Sequence, residues 1–305
     1  MLRAALIGAA DDYIALAPRL PHLAWTALAD TDAARASAAS QQLGSVATAA
    51  SLSELLQNHA DSFDAVVINS DADNRATDCL LAAKASKHVL VKPPFANSLD
   101  EANEVADCCE ANGVKLMLAQ EARFLPSIQS VRQSHEAGQL GEPGAVRIHR
   151  WDTDSTDTAA AGVLQDIDLA LWMFGQLPTS VYAVGQADGY LQIHLGFAND
   201  GMALIDYSNN LPSGGDYFSL TLIGSTGAAY ADDHHNMNLV YAGGDPSAIR
   251  TSLGKVHLLA MLEEFTTSIT ESRGPSVGAA ANSMTLKVSA AVTESLSQRA
   301  AIALT

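Results

Sequence analysis

The sequence predicts an α/β domain over residues 1–120, followed by an α+β domain over residues 121–305 whose sheet is mostly antiparallel. Two observations predict this. Up to about residue 120, short apolar runs alternate with helical patterns, as strands and crossover helices of a parallel sheet do. After about Gly144, strand-like segments follow one another with few helices between them. A third observation marks the first domain. The stretch Ile7-Gly8-Ala9-Ala10-Asp11-Asp12 is a strand end, a glycine bend and a helix start in sequence.

In chain order, Leu2–Gly8 is a continuous apolar run, expected of a strand buried on both faces. A helix is expected over Tyr13–Leu20, a strand over Leu23–Ala29 and an alanine-rich helix over Asp32–Leu43, closed by Gly44. Ser51, with Glu54 three residues on, forms a capping-box pattern for a helix to Asn58. Ala65–Asn69, His88–Val91 and Lys115–Ala119 read as further strands, with helices over Asn74–Ala85 and Leu99–Asn112. In the second half, strands are expected over Ala145–Trp151, Ser180–Gln186, Tyr190–Ala198, Met202–Ser208, Phe218–Ile223 and Ala228–Asp232. Asn199-Asp200-Gly201 is a hairpin signal, and helices over Val256–Glu271 and Asn282–Arg299 close the chain.

Composition limits the function. A chain of 305 residues with 48% hydrophobic content fills ordinary globular cores. A formal net charge of −17 would repel nucleic acid and anionic membrane surfaces, so neither is an expected partner. Cys79, Cys108 and Cys109 show no metal-type spacing and read as reduced thiols, which places the protein in the cytoplasm. The apolar N-terminus breaks at Asp11-Asp12 and reads as a strand, not a signal peptide. No segment reaches the roughly 18 apolar residues of a membrane span.

The first turn is of the Rossmann type, but it departs from the GxGxxG form. Gly8 fills the first glycine position, Ala10 the second and Tyr13 the third. The Ala10 methyl lies where phosphate oxygens would approach. Asp11 and Asp12 put carboxylates where the helix dipole would otherwise attract phosphate. Their simpler reading is a helix cap. Asp30, about 20 residues past Gly8, stands where an acid binds the ribose hydroxyls of a dinucleotide. Its alternative is a cap for the helix near Asp32.

Two acidic stretches invite a metal reading. Asp152, Asp154 and Asp157 lack the glycine and distal glutamate of a calcium loop, and read as a solvated acidic loop. Asp232-Asp233-His234-His235 ends a strand, where adjacent side chains point apart. No metal is expected at either.

The chain resembles the glucose–fructose oxidoreductase and inositol dehydrogenase family of NAD(P)-dependent enzymes. The resemblance runs through LRAALIG at Leu2–Gly8, Ala29-Asp30, DAVVI at Asp64–Ile68, HVLV at His88–Val91 and Arg123-Phe124 with Pro126. It continues through LGEPGAVR at Leu140–Arg147, DIDLALWMFG at Asp166–Gly175 and GSTGAAY at Gly224–Tyr230. It implies a dinucleotide domain, then a domain with a large open sheet through which a homodimer or homotetramer forms. It also implies NAD or NADP as cofactor and a small sugar-like substrate.

The residues of the family's chemistry differ here. A gapless comparison puts Lys92 where the family has the glutamate of Glu-Lys-Pro, and Pro93 at the lysine. A lysine is present but shifted by one residue, and Pro93-Pro94 is expected cis where the family's lysine–proline bond is. Gln165 stands at the position of the proton-transfer histidine and Ala161 at that of its aspartate. Ser70-Asp71 replaces the usual Thr-Pro, and Arg75 a later histidine. The resemblance therefore implies cofactor contacts at Gly8, Ala10, Asp12, Asp30 and Ser70. Substrate contacts fall at Arg123 and Asp166, and the catalytic positions at Lys92, Gln165 and Asp168. The expected function is a degenerate relative that keeps the fold. The alternative is an active oxidoreductase using Lys92 with Asp166 or Asp168.

Overall fold

The computed structural model describes residues 1–152, 159–186, 189–209, 217–232, 237–241, 247–250 and 255–304. The chain forms two compact units, Met1–Gln120 with His257–Ser283, and Glu121–Val256 with Met284–Thr305. The sequence assigned all of 121–305 to the second domain; in the structure, 257–283 groups with the first.

The first unit is built on six parallel strands: β1 (Leu2–Ile7), β2 (Leu23–Ala29), β3 (Ala47–Ala49), β4 (Ala65–Ile68), β5 (His88–Val91) and β6 (Leu116–Leu118). Their order is β3-β2-β1-β4-β5-β6, so the sheet reverses direction of growth between β1 and β4. Ligands of such sheets bind outside the carboxyl ends of the strands at that reversal. The helices are α1 (Asp11–Leu16), α2 (Ala33–Gln42), α3 (Leu52–His59), α4 (Ala72–Lys84) and α5 (Leu99–Ala111). Asp32 caps α2 by accepting from the N–H groups of Ala34 and Arg35. Ser51 caps α3 through the Glu54 N–H, while Glu54 accepts from Ala50. The three-residue β3 was not anticipated, because Ala47-Thr48-Ala49 carries no apolar run. Helix α1 is shorter than expected; a 3-10 turn over Ala17–Arg19 continues it, with Pro18 inside.

The second unit opens with α6 (Pro126–Glu136), also unanticipated, with proline at its first position. Then come β7 (Pro143–Trp151), α7 (Ala159–Gly162), α8 (Leu164–Phe174), β8 (Ser180–Gln186), β9 (Tyr190–Gly196), β10 (Met202–Ser208), β11 (Tyr217–Gly224) and β12 (Ala228–Asp232). Strands β13 (Met237–Tyr241) and β14 (Ser247–Arg250), helices α9 (Val256–Thr270) and α10 (Ala279–Gln298), and β15 (Ile302–Ala303) complete the chain. Among the described residues the sheet order is β14-β13-β12-β11-β7-β10-β9-β8-β15, antiparallel except for the β7–β10 pair. The β9–β10 hairpin turns at Asp200, whose φ is +60°, with the Phe197 N–H donating to the Gly201 carbonyl.

Strand alternation gives this sheet two unlike faces. Val146, Ile148, Ile193, Ile205 and Leu220 are buried in one core with Ile167 and Leu171 of α8 and Val288 of α10. The opposite face is open. Cross-strand register aligns Tyr190, Ser208, Trp151 and Tyr217 in one row across it, and Gln192, Asp206 and His149 in the next. Among the described residues, no helix is long and apolar enough to cross a membrane.

Candidate functional site

At the carboxyl ends of β1, β2 and β4 the first unit carries a cleft of about 430 Å³, lined among others by Gly8, Asp30, Arg35, Ser70, Asp71 and Asp78. Gly8 fixes its floor. Its φ is +83°, and a Cβ there would lie 2.9 Å from the main chain of Asn69 and Ser70. Only glycine allows the β1 loop to pass so close to the β4 loop. The N-cap of α1 is Ala10, with Asp11 and Asp12 as the first helical residues. The expectation that one of these aspartates caps the helix is thereby corrected: the chain turns one residue earlier. Tyr13 does not enter the cleft; it is buried with its ring 6.5 Å from that of Trp25.

Asp30 is buried. One oxygen accepts from the Ala9 N–H at 2.8 Å and from Arg35 Nε at 2.9 Å. The other accepts from the Asp32 N–H and from Arg35 Nη2, both at 2.8 Å. Burial pushes the carboxyl up, but Arg35 and the two main-chain donors outweigh it and hold Asp30 below its ordinary value. Asp30 does not cap α2; Asp32 does.

Across the cleft, Ser70 Oγ donates to Asp78 at 3.1 Å. Burial raises the Asp78 carboxyl, against the pull of that hydroxyl. Arg75 ties the β4 loop to the turn after β5, donating to the carbonyls of Ser70 at 2.7 Å and Pro94 at 2.9 Å. It thus holds the turn in which Pro93-Pro94 is cis, as expected. Lys92 is half-buried beside that turn, and among the described residues its ammonium makes no hydrogen bond or ion pair.

In the second unit, Gln165 lies half-buried in the first turn of α8. Asp166, fully buried, accepts from Arg150 Nε at 2.9 and 3.0 Å and from Arg150 Nη2 at 2.7 Å. Asp168 accepts from Arg123 Nε at 2.5 Å and Nη2 at 2.7 Å, and also from the Thr285 side chain. Burial pushes both carboxyls up and their arginines pull them back. Arg123, expected among the substrate contacts, makes a buried salt bridge with Asp168. Its guanidinium also stacks on Trp172, 5.0 Å from the ring centre. Asp154, Asp157, Asp233, His234 and His235 lie outside the described residues, as does the Ala161 side chain. Asp152 and Asp232 accept hydrogen bonds from the hydroxyls of Tyr207 and Tyr230.

Sequence reasoning missed Arg35, Arg150 and Asp78. Arg35 had a readable signal, since it falls in the first turn of a helix that starts just after Asp30. Arg150 had none, because a pairing between β7 and α8 is set by tertiary packing.

The cleft lies at the carboxyl ends of the strands, where sheets of this order hold a dinucleotide, and Gly8 allows the close main-chain approach such a turn needs. The acid at Asp30 is in place, though engaged by Arg35. These features define a Rossmann-type domain. Residues 2–120 match the model of the oxidoreductase family with an NAD-binding Rossmann fold, and the N-terminal domain belongs to that family. An uncharacterized oxidoreductase of Bacillus subtilis, YrbE, is 29% identical over 237 residues, which is 70% of this chain and 68% of YrbE. From the same organism, scyllo-inositol 2-dehydrogenase (NADP(+)) IolU is 30% identical over 144 residues, 46% of this chain and 43% of IolU. The fold of the whole chain is that of levoglucosan dehydrogenase, solved with NADH and levoglucosan, at TM-score 0.88, 17% identity and 99% coverage of each chain.

Proposed function

We propose that this chain binds a pyridine nucleotide and a sugar-like small molecule but lacks the proton-transfer group of an intact sugar or polyol dehydrogenase. One observation carries the reading. Gln165 stands where the resemblance places the transferring histidine, and the carboxylates beside it on α8 are both held bidentately by arginines. An amide does not titrate near neutral pH. A carboxylate buried in the core and clamped by an arginine is withheld from solvent and from a ligand, which speaks against its relaying a proton.

The nucleotide and the sugar-like ligand are carried over from the relatives named above. When bound, the nucleotide supplies or accepts a hydride. Gly8 admits its backbone-close portion and Asp30 its ribose. The proposed setting is the reducing cytoplasm, which suits three unpaired cysteines.

A second reading is favoured by Lys92. Among the described residues the half-buried Lys92 ammonium at the end of β5 has no partner, which suits it to hold or give a proton to a ligand hydroxyl. In that reading Lys92 acts without Asp166 or Asp168.

Self-association is proposed through the open face of the second sheet. Trp151, Tyr182, Val184, Tyr190, Met202 and Ile223 are large apolar side chains exposed on that one face, and clustered apolar exposure marks interaction surfaces. Sedimentation velocity tests it: a dimer or tetramer is expected, and a monomer at micromolar concentration would refute it.

Calorimetric titration with NAD+ and NADP+, followed by a turnover assay on a sugar and polyol panel, tests the main reading. Binding without nicotinamide reduction is expected. Sustained turnover would overturn it.

A further inference from the structure

The open face of the second sheet carries a cavity of about 780 Å³ that the nucleotide and proton-transfer readings leave unused. Its lining comes entirely from β7, β8, β9 and β10. Cross-strand register sets two rows of side chains across it. The rows lie two residues apart along each strand, which is about 7 Å. In the polar row, Asp206 Oδ1 accepts from Gln192 Nε2 at 2.8 Å. Asp206 Oδ2 is held more loosely, 3.4 Å from Arg147 Nη2 and 3.7 Å from His149 Nδ1. A carboxylate oxygen has more than one acceptor position, so Oδ2 can take a shorter bond from a ligand hydroxyl. Gln192 and Arg147 each keep N–H groups that Asp206 does not use and can donate to the same ligand.

The neighbouring row is aromatic. Trp151 is 40% exposed, yet two rings hold it in place, Tyr217 at 5.0 Å and His149 at 5.5 Å between centres. Tyr190 stands exposed in the same row on β9. Charge and polarity together select the ligand. The Asp206 carboxylate is matched by the Arg147 guanidinium, so this pair favours neither an anion nor a cation. Donors and acceptors occupy one side of the cavity and exposed rings the other. A sugar ring is divided in the same way, with hydroxyls along its edge and a patch of C–H groups that packs on an aromatic face. A few placed polar groups beside apolar wall is the composition of small-molecule sites.

We infer that the open face of the second sheet binds a neutral saccharide, with Trp151 as the stacking platform and Asp206, Gln192 and Arg147 as the hydroxyl partners. The site belongs to the second unit alone and does not depend on the nucleotide reading. It shares the face proposed for self-association, so a saccharide and a second copy of the chain compete for it.

Saturation-transfer NMR and calorimetry on the full chain without nucleotide test it, with methyl β-D-glucopyranoside and cellobiose as probes. Wild type is expected to bind at least one probe with a millimolar Kd. Trp151→Ala and Asp206→Ala are expected to weaken that binding by at least about tenfold, and Trp151→Phe by only a few-fold. Thermal melting checks that each variant is folded. Where wild type self-associates, the probe is expected to shift its sedimentation toward monomer. A monomeric wild type that binds the probe sinks self-association alone and upholds the site. Binding of neither probe by wild type overturns the site. Binding that Trp151→Ala and Asp206→Ala leave unchanged overturns it too, because the sugar then sits elsewhere on the chain. An oligomer that keeps its size at saturating probe overturns the shared face.

Discussion

Among the described residues four aspartates are gripped bidentately by arginine; the Arg3–Asp64 pair is exposed on both sides, and the other three behave differently because of where they sit. Arg123–Asp168 and Arg150–Asp166 belong to the second unit, with arginine side chains 8% and 19% exposed and carboxylates at 2% and 0%. Asp30–Arg35 belongs to the first, with the carboxylate at 1% but the guanidinium 57% exposed. The bonding is the same in kind. In the core, a broken pair leaves a charge that water cannot reach, so the pair is part of the scaffold. At the cleft edge, water or a ligand can replace the arginine, so the pair can open.

The largest effect expected from this contrast is at Asp168. Asp168→Ala strands the Arg123 guanidinium and should cost about 3–5 kcal/mol in urea unfolding, while Arg123→Met with Asp168→Leu recovers most of it. A single-variant loss below about 1 kcal/mol would erase the distinction between the two units.

Gly8→Ala comes next. Positive φ and a 2.9 Å approach to the main chain combine, so a loss of about 1–3 kcal/mol is expected from thermal or urea melts. Arg35→Ala should change stability by less than about 1 kcal/mol, because its partner keeps two main-chain donors and the lost pair is screened.

The smallest effect is in pH. Asp30 is held below its ordinary value in the folded state, so its contribution is present above the unfolded value of about 3.9 and is lost as pH falls through the folded one. Arg35→Ala should flatten that acid limb in stability measured between neutral and acid pH. An unchanged limb would mean that the pair is not closed in solution.

How much of this was legible beforehand varies with the range of the interaction. The parallel strands were readable because apolar runs such as Ala65–Ile68 are buried on both faces. Ser51 with Glu54 announced its helix through a local hydrogen-bond pattern. The cis Pro93-Pro94 bond followed from a gapless comparison through HVLV. The cap of α1 was misplaced by one residue, since the bend at Gly8 leaves Ala10 in the extended conformation and starts the helix directly at Asp11. The site residues divide in the same way. Asp30 and Gln165 stood out by position, but Asp166 and Asp168 looked available for chemistry. Their partners lie 16 and 45 residues away, and only tertiary packing brings Arg150 and Arg123 onto them.

On the proposed function, the fold remains while its proton-transfer group is gone. The most direct test is nicotinamide reduction followed by absorbance with saturating NAD+ and a polyol panel. Wild type is compared with a variant carrying Lys92→Glu, Pro93→Lys, Ala161→Asp and Gln165→His. No turnover is expected of wild type, and measurable turnover of the variant. Steady turnover by wild type that Lys92→Met abolishes would contradict it.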